Sequence, residues 1–144
     1  MTKVLLSLHV IAAILAVGPV AVAASMFPAA ARRDRNHLPL LHRICRVYAG
    51  IGVAVPVFGL ATASSLGVLG DTWLLISIAL TAVAAAVLVF QVLPGQEKLL
   101  AAGADGAVLT RVATRLGMYT GIFNLLWAAV TVLMIVRPGS TTGA

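Results

Sequence analysis

The fold class predicted by this sequence is all-α membrane: four transmembrane helices in a single bundle, arranged as two helical hairpins in tandem. Three observations predict it. The 144 residues are 61% hydrophobic and only 10% charged, with a mean hydropathy of +1.08, well above the roughly 45–50% apolar content of soluble domains. The few charges leave four long uncharged runs, Lys3 to Arg32, Arg46 to Asp71, Asp71 to Glu97 and Arg115 to Arg137. Each run exceeds the ~20 apolar residues that a helix needs to cross hydrocarbon, and none shows the strict alternation of a strand. A soluble core of this size would leave too much apolar surface in water. Inside lipid the backbone must satisfy itself, and a continuous helix does that within one segment.

The elements follow in order. Spans are expected at 4–27, 47–68, 72–93 and 116–136, with 137–144 a short flexible tail, all in one transmembrane domain. The N-terminus, with Lys3, an apolar stretch, Gly18-Pro19 and Ala21-Val22-Ala23, has the pattern of a cleavable secretory signal. The apolar run continues to Ala31, which favours a retained helix. Pro19 and Pro56 fall near the middles of spans one and two, where a missing backbone donor tends to kink a helix. Pro28 and Pro94 are expected to mark the exits of spans one and three. Tyr48-Ala49-Gly50-Ile51 and Tyr119-Thr120-Gly121-Ile122 recur at the start of each hairpin's second helix, suggesting a parallel membrane repeat.

Charge placement sets the orientation. Arg32, Arg33, Arg35, Arg43 and Arg46 lie between spans one and two, and Lys98, Arg111 and Arg115 between spans three and four. By the positive-inside rule both longer loops are cytoplasmic and both termini lie outside, in a multi-pass cell-membrane protein. The net charge of +6 is accounted for by this asymmetry, so no nucleic acid is implied as a partner. The expected partners are the bilayer itself, anionic lipids at the cytoplasmic face for Arg32, Arg33, Arg35, Arg43 and Arg46, and other membrane subunits or a second copy.

Small and polar residues at three- and four-residue spacing predict the packed faces. In span four these are Gly117, Gly121, Asn124, Ala128 and Thr131; in span two Gly52, Pro56, Gly59 and Ala63; in span three Ser77, Thr81, Ala84 and Leu88. An amide facing lipid is costly, which places Asn124 inward. His9 is the candidate ligand-binding residue. It lies about 9 Å below Lys3, at a depth similar to Ser65, Ser77 and Thr131, and an ionisable residue within a span marks a site by default. The alternatives are a cofactor contact (haem, copper or quinone), a proton acceptor, or a neutral imidazole bonded to Ser77 or Thr131 that holds helices together. His42 and Cys45, three residues apart, are expected as a solvated imidazole and an interfacial thiol; His37 is expected in solvent.

No carboxylate falls within a span, and the sequence carries neither a nucleotide-binding glycine loop nor a Ser/His/Asp grouping at matching depths. An enzyme is therefore not expected. The single cysteine excludes an internal disulfide.

The opening Leu8-His9-Val10-Ile11-Ala12-Ala13, with Gly18 half a helix later, resembles the first helix of small uncharacterised bacterial four-helix integral membrane proteins, a family of unknown function. It is more distantly similar to copper-resistance D-like and b-type cytochrome membrane helices, where a first-helix histidine is common. The resemblance implies the four-helix architecture. In the cytochrome-like proteins further intramembrane histidines pair across helices, whereas His9 is the one histidine within a span here. The expected function is a non-catalytic accessory or scaffold subunit, with a redox or ligand-binding bundle centred on His9 as the alternative.

Overall fold

In the computed structural model, residues 1–103 and 106–139 are described. Most of the expected 137–144 tail thus lies outside the described residues. Helix α1 runs Thr2–Arg33, α2 Leu38–Ile51, α3 Ala54–Leu66, α4 Thr72–Val87, α5 Leu93–Ala101 and α6 Gly106–Val136. A 3-10 turn, Arg35–His37, joins α1 to α2, and a π turn, Leu88–Val92, joins α4 to α5. These combine into four apolar rods of 32, 32, 30 and 31 residues, each about 45 Å long at 1.5 Å per residue, enough to cross a bilayer with its headgroup layers.

The rods outrun the expected spans at the basic end, for identifiable reasons. Pro28 does not end the first helix, and α1 runs through both Pro19 and Pro28 to Arg33. Asp34, extended at φ −145°, stops it and accepts from the Asn36 amide at 3.1 Å. Pro39 then stands in the first turn of α2, where a missing N–H costs nothing. Pro94 does not end the third span either. A π turn comes just before it, in which Leu93 N–H reaches back five residues to the Leu88 carbonyl, and the rod continues to Ala101.

The second span breaks, as Pro56 suggests. Proline cannot donate to the Gly52 carbonyl, and the Val55 N–H takes that acceptor at 3.0 Å instead. Val53 N–H likewise turns to the Gly50 carbonyl at 3.2 Å. This tightened stretch separates α2 from α3.

α1 packs against α2, α3 and α6; α4 packs against α6; α5 packs against α6 and α2. The antiparallel partners of each hairpin therefore lie side by side, with α1 against α6 joining the hairpins. The main core gathers Val20, Ala24 and Phe27 of α1, Leu38 and Cys45 of α2, Ala84 and Val92, Leu99, and Leu116 and Phe123 of α6. A smaller cluster of Ala63, Val68, Trp73 and Leu74, with Met134 against it, closes the opposite end. There the Trp73 indole donates to Asp71 Oδ2 at 3.0 Å and lies 5.6 Å beneath the Arg137 guanidinium, a cation–π contact. Large apolar side chains elsewhere point outward, among them Ile14, Phe90, Leu125 and Ile135, as lipid-facing surfaces require.

The inward face of the fourth helix differs from the expected stripe. Ala113, Leu116, Thr120, Phe123 and Val130 are buried, while Gly117, Ala128 and Thr131 are exposed and Gly121 and Asn124 half-buried. Bulky side chains fill the interior. Thr131 tolerates an apolar face because its hydroxyl donates to the Trp127 carbonyl at 2.8 Å, a local bond that needs no partner helix. In the third span the expected inward residues Ser77, Ala84 and Leu88 are buried and Thr81 is half-buried.

Candidate functional site

Two polar centres lie between helices, one near each end of the bundle. The first is His9 on α1, half-buried against α3. Its Nδ1 lies 2.8 Å from the Val55 carbonyl oxygen. A carbonyl only accepts, so Nδ1 carries the proton, and in the neutral ring Nε2 keeps its lone pair. The ring rests on Gly59: a Cβ there would fall 2.9 Å from His9 Cε1 and 3.1 Å from Nδ1. Val55 and Gly59 sit one turn apart on α3, so the turn that carries the hydrogen bond also supplies the flat seat.

The polar layer expected around His9 does not close across the bundle. Ser77 donates to the Trp73 carbonyl at 2.8 Å and Thr81 to the Ser77 carbonyl at 2.7 Å, both within α4. Ser65 pairs with the Thr2 hydroxyl, tying the start of α1 to the end of α3. His9 is therefore bonded to a backbone carbonyl of α3, in place of Ser77 or Thr131.

The second centre is buried where α2 meets α5. His42 Nδ1 donates to Gln96 Oε1 at 2.8 Å, and Gln96 Nε2 donates to Cys45 Sγ at 3.3 Å. The Cys45 thiol points to the Val20 carbonyl at 4.0 Å. On the outer side His42 Nε2 stands 3.8 Å from the exposed carboxylate of Glu97. Gln96 and Cys45 are 0% exposed and His42 9%, which corrects the solvated imidazole and interfacial thiol expected from sequence. The reason is α5, which extends beyond the expected end of span three and covers this face of α2. Gln96 is the residue sequence reasoning missed. The usable signal was a long neutral amide two residues after Pro94, beside the His42/Cys45 pair.

The basic end is partly engaged within the protein. Arg35, expected at lipid headgroups, is half-buried and donates through Nη2 to the Leu99 carbonyl at 2.7 Å, a cation at the C-terminus of α5 where helix carbonyls lack partners. Arg32 donates to Thr114 Oγ1 at 3.2 Å. Arg33, Arg43 and Arg46 are exposed, as are Arg111 and Arg115. His37 pairs with Asp34 at 2.8 Å. Two open hollows lie at this end, one of about 560 Å³ along α6, lined by Ala107, Thr110, Arg111, Thr114, Arg115 and Met118, the other of about 420 Å³ between α1 and α2.

The seam between α1 and α6 holds Asn124, whose Nδ2 donates to Ser25 Oγ at 3.0 Å. Gly117 approaches Pro28, whose Cγ lies 3.9 Å from the position a Cβ would take, whereas Gly121 meets nothing within 4 Å. Thr120 Oγ1, Asn124 Oδ1 and Trp127 Nε1 are buried with no hydrogen-bond partner. Among the described residues no group of three His, Cys, Asp or Glu side chains converges as a metal site.

Comparison with known proteins returns no match: no protein-family model, no curated protein and no solved structure is similar to this chain.

Proposed function

We propose that this chain is a non-catalytic multi-pass membrane protein that serves as an accessory or scaffold subunit, its arginine-rich end in the cytoplasm and both termini outside. The observation that carries the reading is how the interior polar groups are used: His9 on the Val55 carbonyl and the His42–Gln96–Cys45 chain hold helices to one another. The charge asymmetry supports the orientation, and the broad apolar exterior supplies surface against which membrane subunits can pack. Photo-crosslinking residues placed at the lipid-facing Phe90, Leu125 and Ile135 test it. A discrete crosslinked protein band from one face is expected; crosslinks to lipid alone from every face would contradict it.

A second reading rests on the His9 tautomer. With Nδ1 bound to a carbonyl, Nε2 is the ring atom left to bind an iron or copper ion or to accept from a quinone, the arrangement usual for ligating histidines. A visible absorption band in the purified protein, lost in His9→Ala, would favour this reading over the first.

A further inference from the structure

We infer that the hollow on the first turns of α6 is a binding site for one anionic phospholipid, with the headgroup phosphate held by Arg111 and Arg115 and seated beside Arg32. The inference rests on the membrane-spanning reading and names the lipid and the residues. Arg111 and Arg115 stand one helical turn apart on the exposed face of α6, on either side of Thr114. Arg32, the last but one residue of α1, is drawn to the same spot by its bond to Thr114 Oγ1. That oxygen accepts from Arg32, which leaves the threonine proton to donate to a phosphate. The Arg32 guanidinium thus contacts the threonine that lies between Arg111 and Arg115 along α6, and an anion seated there is attracted by all three cations.

No carboxylate among the described residues supplies that anion. Asp34 is paired with His37, Glu97 faces His42, and Asp71 accepts from Trp73. Thr110 donates back to the Gly106 carbonyl, so the charged contacts come from the arginines. The hollow also has the two-part chemistry of a lipid. Met118, 54% exposed, lies about 10 Å deeper along α6 than Arg111, and the exposed Gly117 and Ile122 continue that strip. A phosphate at the arginines therefore places an acyl chain along Met118. Guanidinium forks suit phosphate oxygens, which favours a phosphate headgroup over a carboxylate-bearing ligand.

Native mass spectrometry of the full chain, taken from an equimolar mixture of phosphatidylglycerol and phosphatidylcholine, tests this. One phosphatidylglycerol per chain is expected on the wild type, with retention lowered about tenfold by the paired substitutions R111Q and R115Q. Substitutions K3Q and K98Q, equal in charge but outside the hollow, should leave retention unchanged, and T114V, which alters no charge, should lower it. Equal loss from K3Q and K98Q, equal retention of phosphatidylcholine, or displacement by inorganic phosphate would overturn the inference. Recovery of the chain without detergent from the aqueous fraction would instead defeat the membrane reading.

Discussion

Gly59 leaves no room for a methyl group beside His9. A Cβ there meets the His9 ring at 2.9 Å, closer than packed atoms tolerate, so Gly59→Ala should push the imidazole off the Val55 carbonyl and destabilise the bundle by about 1–3 kcal/mol. Thermal unfolding in detergent measures it, and His9→Ala in the same chain should recover part of the loss, because the methyl group then has space. A second expectation concerns Gln96. Replacement by leucine leaves His42 Nδ1 and the Cys45 thiol without the amide they share, at a cost of about 1–3 kcal/mol for stranded buried groups. Sequence reasoning placed His9 and Gly59 on packed faces correctly. It named the wrong partner because a backbone carbonyl carries no signature in the residue string. It put the His42 imidazole in solvent and the Cys45 thiol at the interface, whereas both are buried, because the helix that covers them continues through Pro94.

Proline's effect differs from helix to helix. At Pro56 the Val55 amide takes the freed Gly52 carbonyl and the rod breaks there; at Pro94 a π turn comes just before the proline and the rod continues. Such turns occur often at functional sites, and here the turn precedes the segment that delivers Gln96 to His42. Pro56→Ala should let α2 and α3 join, seen as slower amide exchange at Val53 and Val55. Arg35→Gln should loosen the C-terminal end of α5 by removing the charged cap on Leu99, at about 1.5–3 kcal/mol, read as faster exchange in residues 97–101. The spans themselves were legible because length without charge is a one-dimensional property. Helix ends and the lipid-facing side of α6 were not, since Gly117 and Thr131 on an outward face show that small and polar residues do not by themselves mark the inside.

At the scale of the whole molecule, a bundle in lipid gains little from burying apolar side chains against one another, because the solvent is equally apolar. Packing and interhelical hydrogen bonds must hold it together. That is why the His9 and His42 centres, the Asn124–Ser25 pair and the Arg35 cap matter more here than their number suggests. The same view separates the two ends: a basic end rich in arginine and an opposite end closed by Trp73, Asp71 and Arg137. The membrane crossing and its sense are the claim on which the proposed role and the lipid site both depend. Labelling of intact cells with a membrane-impermeant maleimide tests it most directly, using Asn36→Cys at the arginine-rich turn and Gly70→Cys at the turn between α3 and α4, with the buried Cys45 as an unreactive background. Labelling of Gly70→Cys in intact cells, and of Asn36→Cys only after permeabilisation, is the predicted result. Labelling of Asn36→Cys from outside with Gly70→Cys protected would contradict the account.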